Sequence, residues 1–179
     1  MNATPALPLR LASLERYRLR LEKYSLEQLT QKPADGGWSI GQIYNHTWMS
    51  ARNFFFKNAG LCLTQEGVED KSGFNWRAFL LFLVGKLPNR RYRMPKEVAV
   101  EPHQPASKEQ LAMRLAEIDE AFYILEKEIN ASQTSGKVRH PLLGSLSARQ
   151  WQRLCSMHYD HHFEQILRTE KALGLSAAE

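Results

Sequence analysis

Apolar residues recur at three- and four-residue spacing over most of the chain. That is the repeat of helices with one buried face. One signal, Ser-x-x-Gln, punctuates the repeat at Ser25/Gln28, Ser39/Gln42, Ser107/Gln110 and Ser147/Gln150. In such a pair the serine hydroxyl accepts from the third backbone N–H of a new helix. The glutamine reaches back to the serine's own N–H. Three of the four pairs open long periodic segments.

The pattern predicts a first helix over about residues 7–24 and a short helical turn over 25–31. A loop containing Pro33, Gly36 and Gly37 follows. The second helix starts after Ser39 and is expected to stop near Gly60. Residues 61–72 read as polar loop, and about 75–86 as a shorter apolar helix. The stretch 87–105, with Pro88, Pro95, Pro102 and Pro105, reads as a long crossover. A third helix spans 107 to about 130. A Gly/Ser/Pro loop with His140, Pro141 and Gly144 leads into a fourth helix from Ser147 to about Leu173, stopped by Gly174. No segment sustains alternation with β-branched residues. The expected fold is all-α: a single-domain four-helix bundle over 1–179, with the crossover between helices two and three.

Composition narrows the function classes. The chain has 179 residues, 24 Lys+Arg against 19 Asp+Glu, and a net charge of +5. The basic residues scatter over helix one and the crossover, where Arg90, Arg91 and Arg93 flank Tyr92, rather than striping one helix. Nucleic acid is therefore a disfavoured partner. The two cysteines, Cys62 and Cys155, form no ligand-like pair, which fits a reducing compartment. Pro5 and Pro8 interrupt the apolar start, unlike a signal peptide. The longest apolar run, 79–85, is far short of the ~20 residues that span a bilayer. The expectation is a cytoplasmic protein with no membrane partner.

Histidine placement carries the chemistry. Three of the six histidines fall in Met157-His158-Tyr159-Asp160-His161-His162. At ~100° per residue, Trp151, Cys155, His158, His162 and Gln165 lie within ~40° of one line on helix four. Tyr159 and Phe163 lie to one side, His161 to the other, and Asp160 nearly opposite. His158 and His162 are thus neighbours one turn apart on the inward face, a spacing that lets two imidazoles share one metal ion. On helix two, Ile43, His46, Thr47, Ser50 and Phe54 share a stripe, so His46 is the candidate third ligand. The residues alone leave two readings open. Inward histidines are commonly hydrogen-bonded core residues, but three of them present six ring nitrogens to satisfy. A shared cation would satisfy one nitrogen on each ring.

The neighbours have less specific expectations. His161 and Gln165 are pocket candidates; the plainer alternatives are a carboxylate partner for His161 and a buried-amide role for Gln165. Cys155 is either a fourth ligand, which would close the site, or a buried small hydrophobe, the preferred reading. Trp38 and Trp151 are expected as core anchors, and His103 and His140 as surface residues.

Two segments resemble a known family. KPADGGWSIGQIYNHTWMSARNF is similar to the second-helix signature of the DinB-like superfamily. HPLLGSLSARQWQRLCSMHYDHHFEQI is similar to its last-helix signature, and closest to an uncharacterised branch with a His-x-Asp-His-His motif. The resemblance implies a four-helix bundle holding a divalent metal through three histidines, by position His46, His158 and His162. Zinc is the expected metal, with nickel, iron or manganese as alternatives. It also places the His140 loop as a corner against helix four. Some relatives transfer a low-molecular-weight thiol to an electrophilic small molecule, and relatives often dimerise, so a thiol cosubstrate and a homodimer are expectations too.

Three neutral imidazoles leave a divalent ion positively charged and with an open position. Hydrolysis beside such an ion usually wants a carboxylate base, yet Asp160 and Glu164 face away on the wheel. Thiolate transfer needs none. A metal-dependent thiol transferase is the preferred expectation; a hydrolase or a non-catalytic metal- or ligand-binding bundle is the alternative.

Overall fold

The computed structural model describes residues 7–64, 73, 75–88, 101–133 and 136–175, with side chains from residue 12 onward. These residues are mostly helical. Helix α1 (Leu7–Glu22) leads through a short α2 (Leu26–Thr30) to α3 (Ile40–Ser50), which continues without a break through a π-helical segment (Ala51–Phe56) into α4 (Lys57–Leu63). Then come α5 (Trp76–Val84), α6 (Lys108–Ala131), a two-stranded hairpin β1 (Lys137–His140) and β2 (Gly144–Ser147), and α7 (Ala148–Ala172). Helix α7 packs against α1, α3, α4, the π-helical segment and α6.

The caps form where the serines predict them. Ser25/Gln28, Ser39/Gln42 and Ser147/Gln150 each close both hydrogen bonds of a capping box. Ser107 accepts from the Gln110 amide, but the Gln110 side chain takes the Ala106 N–H instead. That fourth serine is a simple N-cap. The Ser39 box also ties down the end of the crossover. The Gln42 amide donates to the Pro102 carbonyl at 2.7 Å, and the Ser39 hydroxyl meets Gln104 Oε1 at 2.8 Å. Gly41 permits this approach, since a Cβ there would lie 2.6 Å from the Pro105 ring.

Tyrosines lock the helices that carry the histidines. The Tyr17 hydroxyl donates to the Tyr159 carbonyl on α7 at 2.7 Å, and the Tyr44 hydroxyl on α3 donates to the Tyr17 carbonyl at 2.8 Å. The three side chains are buried and meet around Tyr17, whose ring lies edge-on to those of Tyr44 and Tyr159. Asp160 faces away from the site as expected, where it takes Arg16 at 2.5 Å and the Ser13 hydroxyl at 2.7 Å.

The structure corrects the sequence reading in three places. The loop before helix four is an antiparallel hairpin, pairing Lys137 with Ser147 and His140 with Gly144. Gly144 supplies the turn, at φ 79°. Val138 is the one β-branched residue in β1, so no alternation announces it. Secondly, the second helix does not stop at Gly60 but runs to Leu63, because Ala59 and Cys62 on either side of that glycine are buried. Thirdly, the π-helical segment breaks the 3.6-residue phase. The stripe Ile43, Thr47 extrapolates to Phe54, yet Phe54 is 37% exposed and Phe55 only 5%. Five-residue closure adds one residue to the turn and rotates Phe55 inward in its place. Arg90, Arg91, Tyr92 and Arg93 lie outside the described residues.

Candidate metal centre

Helices α3 and α7 bring His46, His158 and His162 together. Ring centroids are 5.2 Å apart for His46 and His158, 4.6 Å for His46 and His162, and 4.4 Å for His158 and His162. One nitrogen from each ring lies within 4.8 Å of the other two. The Nε2 atoms of His158 and His162 are 3.2 Å apart. That separation would allow both nitrogens to reach one ion at the ~2.0–2.1 Å usual for imidazole on zinc.

The histidines are anchored unequally. His162 is buried, and its Nδ1–H donates to Gln165 Oε1 at 2.7 Å. That bond places the His162 proton on Nδ1 and leaves Nε2 with a free lone pair toward its neighbours. Gln165, a pocket candidate by its place on the helix, thus supports His162. His46 packs against the Trp38 ring at 4.8 Å, with the Ser50 hydroxyl 3.5 Å from its Nε2. His158 packs against Phe55 at 5.0 Å, and its buried Nδ1 has no hydrogen-bond partner. One arrangement of protons satisfies every buried N–H of the α7 pair. His158 carries its proton on Nε2 and donates to His162 Nε2, while His162 donates to Gln165.

Burial sets the electrostatics. It lowers His46 to about 4, helped by His161, and lowers His162 to about 3, helped by His46. His158 is driven well below the ordinary imidazole range, first by burial and then by the other histidines. All three are neutral at pH 7, the form that binds cations.

The flanking residues sort as follows. His161 is half-buried with its ring edge-on to His162 at 5.2 Å, and burial lowers its pKa. Cys155 is fully buried, its thiol pushed up by burial, and it does not join the three-nitrogen cluster. Trp151 is a fully buried anchor. Trp38 is half-buried, packed against the edge of the core and against the His46 ring. His103 is exposed as expected, whereas His140 is not a plain surface residue. Its ring packs on Trp151 at 5.3 Å and Phe54 at 5.7 Å, and its Nδ1 accepts from the Leu142 amide. The sequence reading missed Phe55 against His158, because the signal for it is the π-helical phase shift. Among the described residues, the two carboxylates nearest in sequence to the α7 histidines do not serve as a base here: Asp160 is bound to Arg16 and Glu164 is exposed.

No helix among the described residues is long and apolar enough to cross a membrane. A family model described as the DinB superfamily matches residues 11–166. No curated protein matches the chain.

Proposed function

The chain belongs to the DinB superfamily, and on that footing we propose that it is a metal-dependent enzyme of the four-helix-bundle type, transferring a low-molecular-weight thiol to an electrophilic small molecule. His46, His158 and His162 are the proposed ligands, and zinc the proposed ion. The observation that carries the reading is the cluster itself: three neutral imidazoles from two helices, two of their nitrogens 3.2 Å apart. The donor set fits a borderline divalent cation, which nitrogen ligands hold at ~2.0–2.1 Å. When bound, such an ion supplies Lewis acidity and lowers the pKa of a thiol it holds.

The chain's own residues support this chemistry in distinct ways. Gln165 fixes the His162 tautomer. Trp38 and Phe55 pack on the rings of His46 and His158 and limit water on those sides. His161, edge-on to His162, is the proposed substrate-facing polar group. The alternative of hydrolysis is disfavoured by the carboxylates. Asp160 is committed to Arg16 and Ser13 on the opposite face of α7.

Metal analysis of the purified protein, followed by thiol-dependent turnover of an electrophile panel, tests the reading. Stoichiometric metal with thiol-dependent turnover is the expected result. Absence of bound metal after zinc loading overturns the site. Metal without turnover, for any thiol, leaves a binding bundle.

A further inference from the structure

Thr47 and Ser50 are the two hydroxyl residues on the α3 stripe that carries His46, and the fold uses them differently. The buried Thr47 hydroxyl donates to the Tyr44 carbonyl at 2.9 Å. A hydroxyl inside a helix commonly closes in this way onto a carbonyl one turn back. Thr30 on α2 and Ser156 on α7 do the same, onto the Leu26 and Gln152 carbonyls. Ser50 makes no such bond among the described residues. Its Oγ instead lies 3.5 Å from His46 Nε2. That distance is at the outer limit of a hydrogen bond, so it neither fixes the His46 tautomer nor uses up the hydroxyl. Ser50 also stands immediately before the π-helical segment Ala51–Phe56. Single turns of π-helix recur at functional sites. This one turns Phe55 onto the His158 ring at 5.0 Å.

We propose that the Ser50 hydroxyl is the hydrogen-bond donor that receives the sulfur of the thiol co-substrate at this centre, an inference that rests on the thiol chemistry proposed above. Nε2 is the His46 nitrogen farther from the α3 backbone, hence the one that its ring extends toward the two imidazoles of α7. A half-buried hydroxyl beside that nitrogen stands at the rim of the three-histidine cluster with a proton to give. Other polar groups nearby are committed. Gln165 Oε1 holds His162, Thr47 holds the Tyr44 carbonyl, and Asp160 takes Ser13 and Arg16 on the far face of α7. A thiol reacts as its anion, and a hydrogen bond to an anion is roughly twice as strong as one between neutral groups. An imidazole-type ligand, by contrast, has one lone pair and offers a neighbouring hydroxyl nothing to bind. Ser50 therefore selects sulfur over nitrogen in the incoming ligand and adds nothing to the hold on the ion itself.

The test loads the full chain with cobalt and titrates it with two probes, mercaptoethanol and N-methylimidazole, followed by visible absorbance. The sulfur of the first can accept from Ser50; the second spends its lone pair on the ion and carries no N–H. Ser50→Ala should bind cobalt within twofold of wild type and N-methylimidazole within twofold, but mercaptoethanol on the order of 10-fold more weakly. Ser50→Thr, which restores a hydroxyl, should recover the mercaptoethanol affinity. Equal loss for both probes, or loss for neither, overturns the proposal. So does a Ser50→Ala variant that loses cobalt as His46→Ala does, since the hydroxyl would then be a support for the ring. A wild-type protein that takes up no cobalt, or whose cobalt spectrum ignores mercaptoethanol, overturns the proposed function itself and the role of Ser50 with it.

Discussion

Removing the Gln165 carbonyl oxygen isolates how His162 is held. Gln165→Leu keeps a side chain of similar bulk but leaves the Nδ1–H of His162, a buried residue, with no acceptor at 2.7 Å. An unsatisfied buried donor costs ~1–3 kcal/mol. If that penalty falls on the ligand-competent tautomer, metal affinity drops by about 10- to 100-fold, the range seen when an outer partner of a metal-bound histidine is removed. Gln165→Glu offers a stronger acceptor at the same place, so it should bind metal at least as tightly as wild type. The assay is a cobalt titration followed by visible absorbance, with a competing chelator to bring the affinity into range. Circular dichroism controls for folding, which a half-buried position at the margin of the cluster should not disturb. Gln165→Leu and Gln165→Glu both binding within twofold of wild type would refute the reasoning. So would Gln165→Glu losing metal as severely as Gln165→Leu.

Further predictions address the ligands and the fold. His158→Ala or His162→Ala should abolish metal retention on gel filtration, whereas His161→Ala should keep the metal and change activity at most. The reverse pattern would mean that the phase of α7 is off by one residue. The metal-free protein should lose stability as pH falls below about 6.5. The unfolded chain then takes up protons that His46, at about 4, and His162, at about 3, refuse in the fold. Above pH 6.5 the contribution is complete; by pH 5.5 each of the two histidines should have cost roughly 1 kcal/mol, read from urea unfolding at the two pH values. Arg20→Leu should destabilise by about 3–5 kcal/mol in urea unfolding, because it strands Glu170, whose side chain is 4% exposed and 2.5 Å from the Arg20 guanidinium.

Legibility differed between the two ligand helices for a physical reason. Helix α7 is unbroken from Ala148 to Ala172, so a constant angle per residue places His158, His162 and Gln165 on one line over its whole length. The same arithmetic served α3 as far as Ser50 and failed at the next turn. The π-helical segment added one residue there, and the inward aromatic became Phe55. His46 escaped that error because it lies N-terminal to the shift. The hairpin before α7 was illegible because its four-residue strands rest on backbone pairing and a left-handed glycine, not on side-chain alternation. Gln165 was placed on the correct stripe, but angular position cannot tell a group that faces a ligand from one that holds a histidine. That distinction depends on which ring nitrogen lies nearest its carbonyl.

The unequal anchoring of the histidines has a consequence for how the site responds to an ion. With the His162 proton on Nδ1, the 3.2 Å bond between the two Nε2 atoms requires the His158 proton to be on Nε2. To offer that nitrogen to a cation, His158 must move its proton to Nδ1, where the buried atom finds no acceptor. His162 makes no such change, since its proton is already on Nδ1 and bonded to Gln165. An ion held through that nitrogen would therefore replace one satisfied N–H with an unsatisfied one, a penalty of ~1–3 kcal/mol on His158 alone. The two α7 histidines, equivalent by spacing, differ by chemistry. His162 is a ligand made ready by its support, and His158 is one whose readiness the cation itself must supply.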